Sequence, residues 1–275
     1  MNSQATVQRF MILGSSRTGS TFLLSLLGAH PNIKTYGELF NLDRLPRESL
    51  LEALENPVMF LQRRVYEPCN PGIAAVGFKM FYDHLTEDYF KKPVHASETS
   101  LQLQQQFTQF SSFIECNYDW KTLCERFRTA WKFLHADRSL AVIHLKRRNM
   151  LHTLISIKTA FITNQWWDVT STSPQRPTIH LHPDECSRYF CMLDTFTREA
   201  DTAFSGHPKI DVLYEELTEK REDTMREIFA LLRVPCAPVT SRMKKQNLAP
   251  PWETVDNYDE LKKHFQHTRW GALFE

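Results

Sequence analysis

Residues Gly14 to Thr21 read GSSRTGST, a glycine, four residues, a second glycine and then hydroxyl residues, and they follow a short apolar run, RFMILG. A strand that enters a glycine-punctuated turn and then a helix gathers several backbone N–H groups and the positive end of a helix dipole around one anion. The spacing is that of a nucleotide-binding phosphate loop, except that Ser20 stands where such a loop carries its lysine. In a nucleoside-triphosphate enzyme that lysine reaches the outer phosphates, and an aspartate at another strand's end helps hold magnesium. Ser20 is too short for the first task, and none of the other strand-like runs ends in an obvious buried aspartate. Arg17, inside the turn, can instead bridge an inner phosphate and the group leaving it. The ligand expected is a nucleotide whose single 5′ phosphate carries a non-phosphate group.

A second basic cluster points to the same place. The run LAVIHLK leads into LKRRNMLHTLIS, putting Lys146, Arg147 and Arg148 at a strand end and Ser156 eight residues after Arg148. In a parallel sheet the carboxyl ends of the strands share one edge, so this cluster faces the crevice that Gly14 to Thr21 opens onto. KRRN alone reads equally well as a solvated helix start. Beside the first motif, two anion sites on one crevice suit a ligand phosphorylated at two places.

Positioning these groups takes a sheet. Four runs, RFMILG from Arg9, AAVGFKMF from Ala74, LAVIHLK from Leu140 and KIDVLYEEL from Lys209, read as strands buried on both faces. Helical spacing follows in Phe22, Leu23, Leu26 and Leu27, stopped by HPN at 30–32, and in Leu151, Leu154, Ile155, Lys158 and Ile162. A capping box of Thr224 and Glu227 precedes Ile228, Phe229, Leu231 and Leu232. This alternation predicts an α/β fold of three layers, a central parallel sheet flanked by helices. Leu103, Phe107 and Phe110 place a helix in an insertion around 83–138, and Thr170 to Pro183 has the composition of a loop. No linker divides the chain, so residues 1–275 are expected to form one domain.

The balance of 33 Lys and Arg against 32 Asp and Glu, formally +1, argues against the broad basic surface of a nucleic-acid binder. Anion selectivity must therefore come from local placement. No stretch reaches the roughly 18–20 apolar residues that span a bilayer, and MNSQATVQRF lacks the pattern of a secretory signal. Six scattered cysteines with no CxxC pair suit a reducing compartment, so a cytoplasmic protein is expected.

FMILGSSRTGSTFLLSLLGAHPNI with GELFN, then HLKRRNMLHTLISIK, VLYEEL and the closing KKQNLAP…NYDELKKHF, together resemble the sulfotransferases that use 3′-phosphoadenosine-5′-phosphosulfate (PAPS). The likeness is greatest to the bacterial carbohydrate-type branch that includes the nodulation-factor sulfotransferases. It implies a P-loop-like fold, a 5′ phosphate bearing sulfate in place of outer phosphates, and no metal. It places Ser15, Ser16, Arg17, Thr18, Gly19, Ser20 and Thr21 around the phosphosulfate, and Arg148 and Ser156 on the 3′ phosphate. Glu38, in YGELFN, becomes the base that takes the acceptor's proton, and Arg17 with the loop amides holds the charge gathering on the departing phosphate. Lys245, in SRMKKQN, is assigned to the nucleotide. Lys79, Phe40, Trp166 and Trp167 are assigned to the acceptor, a hydroxyl or amine of a carbohydrate or small natural product.

Two other readings use the same residues, and a third uses a different set. A small-molecule kinase with a degenerate phosphate loop shares the strand, turn and helix, but it needs the lysine and magnesium. A non-catalytic nucleotide-binding protein keeps the cradle without turnover. Zinc held by His180, His182, Cys186 and Cys191 has plausible ligands at spacings that match no common structural pattern, against an ordinary turn-rich loop.

Overall fold

The computed structural model describes residues 7–67, 69–84, 86, 99–166, 177–243 and 249–275. Five strands, β1 (Gln8–Gly14), β2 (Ile33–Glu38), β3 (Ala75–Phe81), β4 (Ala141–Lys146) and β5 (Lys209–Leu213), form one sheet in the order β2-β3-β1-β4-β5. Every neighbouring pair is parallel, so all five carboxyl ends lie along one edge. The chain builds outward from β1 to β2 and β3 on one side and to β4 and β5 on the other, and the crevice at this reversal is where an open α/β sheet binds its ligand.

Helices cover both faces, which is why the central strands read as continuous apolar runs. On one face Phe10 and Ile12 of β1 meet Leu23, Leu26 and Leu27 of α1 (Ser20–Gly28), together with Met225, Ile228 and Phe229 from near the chain's end. On the other, Met11 and Leu13 join Val76, Phe78 and Met80 under α2 (Arg47–Glu55), α3 (Pro57–Leu61), α5 (Trp120–Ala136) and α7 (Pro183–Ala203). The remaining helices are α4 (Leu101–Asn117), α6 (Met150–Thr163), α8 (Tyr214–Glu219), α9 (Arg221–Leu231), α10 (Pro251–Thr254) and α11 (Tyr258–Phe265). The three-layer parallel architecture expected from the apolar runs is the one observed. Where a helical insertion is expected, two helices of 17 residues each, α4 and α5, follow β3 among the described residues.

Two boundaries differ from expectation. YEEL is not strand: β5 stops at Leu213, and Tyr214 begins a helix that turns the chain over the sheet edge. Thr224 caps nothing, because α9 already starts at Arg221 and the Thr224 hydroxyl donates to the Lys220 carbonyl at 3.1 Å. Pro183, the last residue of the expected loop, opens a helix of 21 residues at the position where a missing N–H costs nothing.

One polar knot lies inside the sheet. His144 of β4 shares a 2.6 Å hydrogen bond with the Tyr82 hydroxyl and a 2.9 Å one with Asp201, which Lys146 and Lys209 neutralise at 2.9 and 2.6 Å. Burial, with Lys146 adding to it and Asp201 opposing it, pushes the His144 imidazole down to about 4. Asp201 is pulled below the usual carboxylate range by Lys209 and Lys146 in spite of its desolvation. Both depressed values have the same sign: the unfolded chain binds protons that the folded one refuses. Stability is therefore expected to fall as pH drops from the ordinary histidine value of 6.5 toward 4. Thermal melts across that window should show a shallower slope for His144→Gln than for the wild type.

Candidate active site

The phosphate loop has the shape its residues require. Gly14 and Gly19 are there for different reasons. A Cβ on Gly14 would sit 2.5 Å from the Leu145 carbonyl oxygen of the neighbouring strand, and one on Gly19 would sit 2.3 Å from the Tyr214 ring. Gly19 also has φ 86°, in the left-handed region, and serves as the N-cap of α1 with no side-chain cap of its own. The first amides of α1 therefore point into the crevice without the usual capping oxygen, as anion binding at a helix start needs. Arg17 is itself left-handed at φ 64°, which turns its side chain across the crevice. Its Nε donates to Ser156 Oγ at 2.9 Å, and its Nη1 donates to the Trp166 carbonyl. Burial and the nearby Arg147 lower its guanidinium to about 10, against a weaker opposing pull from Tyr214.

Glu38 is the last residue of β2, a strand that the apolar runs do not announce. It is the register partner of Lys79 on β3, across a bulge that shifts the pairing between Thr35 and Glu38. Lys79 Nζ lies 2.7 Å from Glu38 Oε1 and donates to Thr21 Oγ1 at 2.9 Å. Asn41 Nδ2 donates to Glu38 Oε2 at 2.5 Å. The lysine that the phosphate loop lacks at Ser20 is thus supplied in space by β3. A carboxylate, an ammonium and the last hydroxyl of the loop stand in one line, with the Lys79 side chain only 4% exposed.

The basic cluster after β4 divides. Arg147 turns inward: its Nη1 donates to the Arg17 carbonyl at 3.1 Å, its guanidinium faces the Tyr214 ring at 5.0 Å, and its buried Nε has no acceptor among the described residues. Arg148 turns outward, its side chain 67% exposed and 4.0 Å from the Glu216 carboxylate. Ser156 lies on the buried face of α6, whose start Asn149 caps by accepting the His152 N–H at 3.1 Å. The structure therefore brings Arg17, Ser156 and Arg147 together and leaves Arg148 at the surface. Arg147, not singled out for a role by sequence reasoning, carried a signal only as one of three consecutive cations.

A family model for the sulfotransferase family matches residues 9–238. The chain belongs to the sulfotransferase family. Among curated relatives, a nodulation protein H of Rhizobium tropici is 24% identical over 279 residues, covering 100% of this chain and 96% of the relative. One of Rhizobium meliloti (strain 1021) is 26% identical over 274 residues, covering 98% and 95%. Among solved structures, a sulfotransferase from Alicyclobacillus acidocaldarius aligns over 98% of this chain and 96% of that one, with 15% identity and a TM-score of 0.44.

In this sulfotransferase Ser15, Ser16, Arg17, Gly19, Ser20 and Thr21 of the loop line one cavity of about 1210 Å³ with Glu38, Lys79, Arg147 and Ser156, whereas the Thr18 side chain is buried and donates to the Ser15 carbonyl at 2.8 Å. Trp166 lines it too, with its ring 5.3 Å from that of Phe161. Phe40 does not. It is wholly buried, packed on Phe60 at 5.7 Å in the core beneath the site, because the chain turns inward directly after Glu38. Its assignment to the acceptor is corrected to a core residue that supports the Glu38 strand end. Trp167 and Lys245 lie outside the described residues. The four suggested zinc ligands do not converge: Cys186 is buried in a hydrophobic cluster, Cys191 is exposed, and His180 bonds Asp256 at 2.8 Å. Among the described residues no helix is long and apolar enough to cross a membrane.

Proposed function

We propose that this sulfotransferase moves a sulfuryl group from PAPS to an acceptor hydroxyl or amine by in-line attack, with Glu38 as the base. The observation that carries this reading is the line Glu38–Lys79–Thr21, at 2.7 and 2.9 Å, which sets a proton acceptor and a cation at the rim of an anion cradle. The chain's fit to the donor rests on the uncapped amides after Gly19, the buried Arg147 Nε without an acceptor, and the Arg17–Ser156 contact. Glu38 takes the acceptor's proton as its oxygen or nitrogen bonds to sulfur. Lys79 faces the sulfuryl oxygens, while Arg17 and the loop amides hold the charge left on the 5′ phosphate.

Ser156 and Arg148 are the proposed 3′-phosphate pair. The 4.0 Å contact to Glu216 is the one ion pair Arg148 makes among those described, and an exposed pair of this kind contributes little, so turning it toward a phosphate costs little. Arg147 supplies a second cation from inside. Removing one charged hydrogen bond costs about 1.5–3 kcal/mol. Arg148→Ala is therefore expected to weaken adenosine 3′,5′-bisphosphate by about tenfold to 150-fold and to leave 5′-AMP unchanged, as read by calorimetry. Equal weakening of both ligands would move the 3′ phosphate away from Arg148.

The kinase reading requires a lysine that this loop replaces with Ser20, and the cation present comes instead from β3, paired with a carboxylate. Release of adenosine 3′,5′-bisphosphate from PAPS, dependent on an added acceptor, tests the proposed reaction. ATP consumption without use of PAPS would refute it.

A further inference from the structure

Two unlike sets of residues line the cavity. One is the phosphate loop with Glu38 and Lys79. The other is apolar, Leu45, Phe107, Ile157, Phe161, Met192 and Phe196, drawn from the chain before α2 and from α4, α6 and α7, and it meets the loop where the Trp166 carbonyl accepts from Arg17. The aromatic wall is continuous: the Phe107 and Phe161 rings lie 6.2 Å apart, and Phe161 meets Trp166 at 5.3 Å. Polar groups on this wall are largely engaged with the protein itself. Lys158 pairs with Glu185 at 2.9 Å, the Tyr82 hydroxyl shares a hydrogen bond with His144 at 2.6 Å, and His84 Nδ1 accepts the Phe81 N–H at 3.2 Å, whereas the buried Tyr189 hydroxyl has no partner among the described residues. Arg188 stands at the exposed rim.

We infer that the acceptor is a small hydroxylated molecule with an apolar body, a phenol or a hydrophobic alcohol, in place of a free saccharide. The inference rests on the transferase reading above and narrows its acceptor. A saccharide buried here would have to hydrogen-bond most of its hydroxyls to the protein, and beyond the single Tyr189 hydroxyl, enough for one polar group, the wall offers mostly carbon and paired polar atoms. An apolar body loses nothing by desolvation against this wall and gains its buried area. The volume agrees. At about 1210 Å³ the cavity exceeds the roughly 300–1,000 Å³ that one drug-sized ligand occupies, which leaves room for a nucleotide and a compact acceptor together. Met192, at 44% exposed, presents an apolar, adaptable side chain at the mouth of this half. In the reaction the acceptor oxygen forms the new bond to sulfur, the bond from sulfur to the 5′-phosphate oxygen breaks with its electron pair on phosphate, and the hydroxyl proton passes to Glu38.

The test uses the full chain saturated with adenosine 3′,5′-bisphosphate and titrated with 2-naphthol, 1-octanol and chitotetraose, followed by turnover of each with PAPS. The expected result is that 2-naphthol or octanol binds and is sulfated in preference to chitotetraose, the order of the first two telling a ring-shaped from a chain-shaped body. Phe161→Ser should weaken the preferred apolar ligand by about tenfold or more, with bisphosphate affinity unchanged as evidence of an intact fold. Preference for chitotetraose, or an unchanged apolar affinity in Phe161→Ser, would overturn the acceptor class alone. Failure of the wild type to bind bisphosphate would instead remove the transferase reading and this inference with it.

Discussion

Glu38→Gln is expected to lower sulfuryl transfer by about 10²- to 10⁴-fold, the range that a positioned general base contributes, with bisphosphate affinity retained. Glutamine matches glutamate in size, and its carbonyl oxygen can still accept from Lys79 or from Asn41, the two groups that hold Glu38 at 2.7 and 2.5 Å. What it loses is the capacity to take a proton. The position is fixed from two sides, by the β2 register with β3 and by Asn41, so the variant should keep the strand end in place. Pre-steady-state transfer and calorimetry on the same preparation separate the two roles. Loss of turnover with intact binding supports the base, and loss of both in proportion would make Glu38 a structural partner of Lys79 only.

Lys79→Met is expected to reduce turnover by about 10²- to 10³-fold, comparable to the removal of one preorganised donor from a transition-state charge site. Methionine fills most of the same space in a buried strand position, so packing against the neighbouring strands is largely kept. The ammonium is lost, and with it the link between Glu38 and Thr21. Because the proposed role of Lys79 is to face the sulfuryl group and not the 3′ phosphate, bisphosphate affinity should move far less than turnover. Lys79→Arg should recover part of the rate by restoring charge in a less suitable shape. A purely structural lysine would show the opposite pattern, with a lowered melting temperature, a matching fall in binding, and rescue of both by arginine.

The sheet was legible where its strands are buried on both faces. Phe10 to Leu13, Val76 to Met80 and Ala141 to Leu145 carry apolar residues on both faces, broken only by Lys79 and His144, because helices cover both sides. β2 was not legible for the converse reason. IKTYGE lies at the sheet edge, half exposed, with a glycine and a bulge, so it carries neither an apolar run nor a clean alternation. Reading KIDVLYEEL as one strand failed because Leu217 points into the core from a helix: Ile210, Val212 and Tyr214 alternate as in a strand, while Leu213, Tyr214 and Leu217 share helical spacing. The helix from Pro183 hid behind a histidine- and cysteine-rich stretch. Its buried residues Cys186, Phe190 and Leu193 nonetheless follow helical spacing, with the proline at the first turn as a start signal.

Much of the site was equally visible in outline. GSSRTGST located the cradle because its glycines answer to backbone geometry, and backbone geometry is local. The partnership of Glu38 with Lys79 was hidden, since it depends on β2 pairing with β3 across some forty residues of chain. Arg147 and Arg148 could not be ranked from the sequence either: adjacent residues at a strand end point opposite ways, and only the packing of Tyr214 against the loop shows which is inside. Phe40 misled because it follows the proposed base directly, while its ring completes the core below.

The proposed cradle holds a nucleotide phosphorylated at both its 5′ and 3′ positions. Calorimetric titration of the wild-type protein with adenosine 3′,5′-bisphosphate, 5′-AMP and ATP with magnesium is the decisive test of it. Bisphosphate is expected to bind more tightly than 5′-AMP by at least about tenfold, the value of one charged hydrogen bond to the extra phosphate, and to need no metal. Preference for ATP with magnesium, or bisphosphate and 5′-AMP binding alike, would contradict the account.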